Sequence, residues 1–259
     1  GLPAFGPGRA LFAPGAMVAQ VIDWEPFVRP LRVLPFDPPP SIEILPERIH
    51  RNMLPAAETD SHLSIPVGVG SELHEIVALN IRAGEHALVA GPSQSGRTSA
   101  LRLIAAQLRA ADPNVVLVGI SPTPTALLFE EGVFDATGVV SDMESVLTVA
   151  VGDDRRWVVL VDDAERIDVD SGCLVDIARN GPPHITVIAA VRSSVARQAY
   201  GHWTRYIRAS GAGIVLQPDN AVDGDLFGIR LPRSERVGPA AGRGYLICSG
   251  DATAIQICE

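Results

Sequence analysis

From about residue 60 onward, the apolar positions switch between two spacings. Short, nearly continuous apolar runs at 65–69, 76–81, 86–90, 115–120, 157–161, 185–191 and 214–216 predict strands. Residues 98–110 instead place Leu101, Ile104, Ala105 and Leu108 at helical intervals. Helical patterns also cover 142–149, 173–178 and 196–209, the last with a break expected at Gly201. The run from Trp157 to Val161 is apolar at every position, as in a strand buried on both faces. Strands alternating with helices predict right-handed βαβ units, and so an α/β fold with a mostly parallel central sheet flanked by helices.

The first 60 residues behave differently. They lack steady periodicity and carry Pro26, Pro30, Pro35 and the run Pro38-Pro39-Pro40, which favours extended chain. Strand-like pieces lie at 10–21 and 31–34. The beginning also echoes the end. Gly8-Arg9-Ala10-Leu11-Phe12, Gly15 and Val18-Ala19-Gln20-Val21 match Gly242-Arg243-Gly244-Tyr245-Leu246, Gly250 and Ala254-Ile255-Gln256-Ile257. Both read as a Gly-Arg hairpin whose second strand ends in Gln and a β-branched residue. Two unrelated hairpins would show this by chance; a tandem array of similar modules would show it by descent. The expected division is 1–60 as an extended linker or tail of a preceding module, and 61–259 as one domain. A start at Gly1 without Met fits a fragment of a longer chain.

Composition narrows the chemistry. The 259 residues are 47% apolar but only 5% aromatic, so Val, Ile, Leu and Ala must build the core. Net charge is -9, which argues against general nucleic-acid binding, although a local basic stripe stays open. Every basic residue is Arg, with no Lys anywhere. Cys173, Cys248 and Cys258 are sparse and odd in number, as in a reducing compartment without disulfides. No apolar run is long enough to cross a bilayer and no signal peptide is visible, so direct membrane contact is not expected of this segment. The histidines lack metal-ligand spacing.

Two motifs carry chemistry. Gly91-Pro92-Ser93-Gln94-Ser95-Gly96-Arg97-Thr98 follows a predicted strand and opens a predicted helix, the context a phosphate-binding loop requires. Its glycines let main-chain amides turn inward on an anion, and the helix N-terminus adds its positive dipole end. Gly91, Gln94, Ser95, Gly96, Arg97, Thr98 and Ser99 are the expected nucleotide ligands. Thr98 would place its hydroxyl on Mg²⁺. The departure is Arg97 where the pattern has Lys; a planar, longer fork meets phosphate with different geometry. The second motif is Val158-Val159-Leu160-Val161-Asp162-Asp163, an apolar strand ending in acids, the Walker B arrangement. Asp162 would hold Mg²⁺ and Asp163 would activate the attacking water. An active site commonly has Glu in the second place, so Asp163 is one methylene short, and misplacement by ~1 Å costs ~100-fold in rate. Arg192, just past a strand expected beside the nucleotide, is a candidate phosphate sensor, with a plain surface Arg as the alternative. Arg205 and Arg208, on the later helix, are candidate arginine fingers acting in trans, or simply a solvated helix face.

Taken in order, these segments resemble the FtsK/SpoIIIE ATPases, and within them the tandem EccC-type ATPases of type VII (ESX) secretion. The resemblance rests on Ile65-Pro66-Val67-Gly68-Val69 leading to Val77-Ala78-Leu79, on residues 91–98, on residues 158–163 with the double Asp, and on Asp223-Gly224-Asp225-Leu226-Phe227-Gly228 followed by Gly242-Arg243-Gly244. It spans roughly 60 to 257 and implies a RecA/FtsK-like P-loop NTPase using ATP and Mg²⁺. It further implies a cytoplasmic module of a membrane-anchored chain, with neighbouring ATPase modules as partners. A secreted helical hairpin bearing a C-terminal signal is the implied substrate. Terminal modules of that family often depart from active motifs, and Arg97 with Asp163 fits such a weak, regulatory or substrate-recognising module. An active DNA-translocating FtsK-type ATPase is the alternative, which the acidic charge and both substitutions disfavour.

Overall fold

The computed structural model describes residues 45–46, 48–71, 75–123, 133–168, 172–232 and 240–259, together with the backbone of 9–12 and 17–20. The chain forms two compact units, Gly1–Ile42 and Glu43–Glu259. In the first, strands β1 (Arg9–Phe12) and β2 (Met17–Gln20) pair antiparallel as a hairpin, with Arg9 opposite Gln20. The strand expected at 31–34 lies outside the described residues.

The second unit is built on a 10-stranded sheet. Its strands are β3 (Leu63–Gly70), β4 (Ile76–Ile81), β5 (Ala87–Gly91), β6 (Val116–Ile120), β7 (Ala136–Gly138), β8 (Trp157–Val161), β9 (Ile185–Arg192), β10 (Gly213–Leu216), β11 (Arg243–Cys248) and β12 (Asp251–Ile257). They lie in the order β4-β3-β12-β11-β10-β5-β9-β8-β6-β7. From β10 to β7 every pairing is parallel, because helices return the chain to the same edge. From β4 to β10 every pairing is antiparallel, because β3–β4 and β11–β12 are hairpins. The Ser249-Gly250 turn joining β11 to β12 has φ 54 and 89, the left-handed pair that a tight hairpin needs.

Helix α1 (Arg97–Ala111) covers one face of the sheet, and α2 (Val140–Val151), α3 (Cys173–Asn180), α4 (Ser193–Ala196) and α5 (Thr204–Arg208) belong to the other. Alternation along each central strand divides the core in two. In β8, Trp157, Val159 and Val161 pack among α2 and α3, whereas Val158 and Leu160 join Leu101, Ile104 and Leu108 of α1. The helical pattern over 196–209 is interrupted, as expected, by a turn that includes Gly201, and what remains is two short helices, the first beginning at Ser193. The fourth segment of the resemblance is a 3-10 turn, Asp223–Phe227, that buries Leu226 and Phe227 and ends at Gly228 with φ 68. Asp223 is buried there against the guanidinium of Arg197.

Candidate nucleotide-binding site

β5 delivers the glycine-rich loop to the C-terminal rim of the parallel half-sheet, and α1 leaves from it. Gln94 and Gly96 adopt φ 65 and 101, which reverses the chain and turns it into the helix. A Cβ on Gly91 would lie 2.5 Å from Ser95 Oγ and 2.9 Å from the Leu216 carbonyl oxygen, so the tight closure admits only glycine here. Ser95 N–H donates to Pro92 O at 3.4 Å, and Gly242 N–H donates to Ser95 O at 3.1 Å. The second bond braces the loop from the β11–β12 hairpin. The first-turn amides of α1 have no acceptor within the helix, and the helix dipole adds positive potential at that end. A cavity of about 290 Å³ opens over this turn, lined by Gln94, Gly96, Arg97, Thr98, Ser99 and Ala241 among others. Ser99 also borders a neighbouring cleft of about 380 Å³ with Arg51 and Arg102.

Strand β8 brings the acids to the same rim. Thr98 Oγ1 donates to Asp162 Oδ2 at 2.8 Å, and Asp163 N–H donates to Asp162 Oδ1 at 3.0 Å. The expected juxtaposition of loop and acids is therefore present. Burial, helped by the neighbouring Asp163, pushes the Asp162 carboxyl above the ordinary carboxylate range; the Thr98 hydrogen bond and Arg97 oppose this. An ionised Asp162 is thus short of positive charge, as suits a cation ligand. Thr98 and Asp162 would be the protein oxygens for Mg²⁺, which binds through one or two carboxylates plus phosphate oxygens and retained waters. Among the described residues no group of three or more His, Cys, Asp or Glu forms an all-protein metal cage.

Arg97 points inward. Its Nη1 donates to the Gly91 carbonyl at 2.6 Å and the Pro92 carbonyl at 2.9 Å, while Nη2 donates to Asp163 Oδ1 at 2.9 Å. The residue is 9% exposed. Asp163 stands in the left-handed region, φ 44, and Arg166 approaches its other oxygen at 3.7 Å. The two departures from the motif pattern meet each other: the longer cation reaches across, and the shorter acid makes room.

Arg192 ends β9, between the loop strand and the acid strand, with its Cα in register with Gly91. Arg205 and Arg208 lie elsewhere. Arg208 donates to the carbonyls of Ala196 and Leu226, and Arg205 to the Gly201 carbonyl and Tyr206 Oη. Beyond α5, Ser210 Oγ accepts from His86 N–H at the start of β5, the end opposite the loop. Neither arginine serves its own loop from there. Two features of the rim escaped the sequence. Gly242 was legible as a hairpin glycine but not as the brace of the loop. Gln217, φ 44 just past β10, joins Gln94 and Asp163 as non-glycine residues forced into the left-handed region at this rim. Such strain concentrates where surrounding structure imposes a geometry.

A strand-bound loop opening a helix, with the acid strand β8 on the far side of one intervening strand, β9, is the arrangement of the P-loop NTPase fold. No family model matches the sequence, and no curated protein does. Solved structures do. The fold is that of the ATPase domains of the type VII secretion proteins EccC and EssC. The cytoplasmic domain of the Thermomonospora curvata type VII secretion ATPase EccC superposes with a TM-score of 0.63 at 21% identity, over 85% of this chain and 29% of that one. EccC ATPases 2 and 3 from the same organism, in complex with a signal sequence peptide, give 0.63 at 20% identity over 85% and 44%. EssC ATPases 2 and 3 from Geobacillus thermodenitrificans give 0.63 at 17% identity over 83% and 45%. The chain thus spans less than half the length of each.

Proposed function

We propose that residues 61–259 are an ATPase-fold module of a protein-secretion motor that binds Mg²⁺–ATP and turns it over slowly, serving regulation or substrate recognition. The observation that carries this is the contact between Arg97 and Asp163 at 2.9 Å. A carboxylate already accepting from a guanidinium has a weaker claim on the proton of an attacking water. A guanidinium held on two loop carbonyls must also break those bonds before it can move onto phosphate. The nucleotide would lay its phosphates on residues 91–98, with Thr98 and Asp162 toward Mg²⁺ and the Arg51–Arg102 cleft toward the nucleoside end.

The hairpins support the tandem reading. Arg9 faces Gln20 as Arg243 faces Gln256, and in the main unit that hairpin is the brace of the P-loop. A first hairpin of the same design fits the end of a preceding module, which would make neighbouring ATPase modules the partners. The signal-peptide complex of EccC supports a secreted protein with a C-terminal signal as substrate, and the parent chain would be anchored with this module on the cytoplasmic side. No described helix is long and apolar enough to cross a membrane.

Calorimetric titration with ATP, with and without Mg²⁺, alongside steady-state hydrolysis, tests the reading. Binding with turnover well below ~1 s⁻¹ is expected, under the ordinary range of enzyme turnover. Arg97→Lys with Asp163→Glu should raise turnover by about tenfold or more, and neither change alone should do as much. Turnover of several per second in the parent protein, or hydrolysis stimulated by DNA in a salt-sensitive way, overturns it.

A further inference from the structure

The same rim holds a second arginine–carboxylate pair, made quite differently. Glu165 lies in the 3-10 turn that follows Asp163. Its side chain is 6% exposed, and neither carboxylate oxygen has a hydrogen-bond partner among the described residues. Its nearest cation is Arg192, whose Nε stands 3.9 Å from Oε1. That distance is an electrostatic contact and not a hydrogen bond. The Arg192 side chain is 45% exposed, and its guanidinium makes no hydrogen bond among the described residues. So the loop's own cation is committed to carbonyls and an acid, while Arg192, whose Cα is in register with Gly91, keeps its guanidinium donors open. A buried carboxylate without donors is unfavourable, and here one guanidinium, held by charge alone, offsets that.

We propose that Arg192, and not Arg97, is the cation that takes the terminal phosphate of a nucleoside triphosphate, and that Glu165 is its positioning residue. The inference rests on the nucleotide-binding reading above. In the free domain Glu165 draws Arg192 toward the acid side of the rim. A third phosphate offers the fork two oxygens at hydrogen-bond distance, a stronger contact than the one Glu165 makes. Triphosphate binding therefore competes with Glu165 for Arg192. A diphosphate ends short of the fork and does not.

The test is calorimetry with ATPγS and with ADP, each with Mg²⁺, on the parent protein, on Glu165→Gln, and on the double variant Arg192→Ala/Glu165→Gln. The double variant strands no buried charge, so it serves as the protein lacking Arg192. Glu165→Gln should tighten ATPγS about 5-fold and leave ADP within about 2-fold, a shift at the low end of ordinary coupling between sites. The double variant should lose the preference for ATPγS, falling about tenfold below the single variant, as expected when one charge-assisted contact is removed. A purely structural pair would change the melting temperature and leave the ATPγS-to-ADP ratio unmoved; that result overturns the proposal. So does a ratio that rises equally with and without Arg192. If the parent protein binds neither nucleotide, this inference falls together with the functional reading. Binding with an unchanged ratio defeats this inference alone.

Discussion

Two arginine–acid pairs sit on one rim of one sheet, their acids two residues apart in the chain, and they are built for different purposes. Arg97 and Asp163 are joined by a hydrogen bond from Nη2, and Nη1 of the same guanidinium donates to two carbonyls of the loop it closes. Arg192 and Glu165 face each other across 3.9 Å with no hydrogen bond between them. The first pair is geometry: it fixes the loop and ties it to β8. The second is charge balance, with one member buried and the other half in solvent. Net charge alone would treat the pairs as equivalent. Burial and hydrogen bonding separate a structural clamp from a movable cation.

The comparison breaks most visibly through stability. Arg97→Ala strips donors from the Gly91 and Pro92 carbonyls and leaves Asp163 with only the distant Arg166. It should lower unfolding free energy by about 2–3 kcal/mol in urea titration, the range for removing a buried guanidinium whose partners include two carbonyls and a part-exposed carboxylate. Glu165→Gln should change it by less than about 1 kcal/mol, because it removes a buried charge and keeps the shape. Equal losses in the two variants would erase the distinction. Next in size is Gly242→Ala. Its φ is +74, and a Cβ would lie 2.9 Å from the Gln256 side-chain nitrogen. A cost of about 1–2 kcal/mol is expected for a left-handed, crowded glycine position. Nucleotide affinity should fall with it, because the bond from Gly242 to Ser95 steadies the loop. Unchanged affinity at reduced stability would show that the loop stands without its brace.

The smallest effect is acid sensitivity that leaves both pairs untouched. His86, at the start of β5, is buried, and Val187 N–H donates to its Nδ1 at 3.1 Å. Burial holds its pKa below 6.5, in spite of opposing hydrogen bonds to the Ile177 and Ala178 carbonyls and the nearby Glu85. The unfolded chain then binds the proton more readily than the folded one. Stability from this residue is complete above the unfolded pKa and declines as pH falls toward the folded value. His86→Asn should flatten the stability profile between about pH 7 and pH 5. A slope that persists assigns the acid sensitivity elsewhere.

Much of this was legible beforehand because the relevant signals are local. Period and composition marked the central strands, since a strand buried on both faces must be apolar throughout, as Trp157 to Val161 is. The loop was legible because a left-handed turn into a helix needs Gly96 where it stands, and the acids because they follow an apolar run directly. The short edge strand β7 was missed: Ala136–Gly138 is held by pairing to β6 and carries no strong preference of its own. The break between α4 and α5 was anticipated at Gly201, although the helical remnants proved much shorter than the pattern suggested.

What the sequence determined unaided was the kind of machine: alternating elements, a phosphate loop on one strand and a pair of acids on another. These follow from steric preference and from the hydrophobic pattern, both of which act between near neighbours in the chain. What only tertiary structure decided was the use of each charge. Arg97 turns inward because the carbonyls of Gly91 and Pro92 and the carboxylate of Asp163 converge on it, and Glu165 faces Arg192 because β8 and β9 are adjacent. Those encounters join residues far apart in the chain, and the energy of a charge depends on the groups and the solvent that folding sets around it.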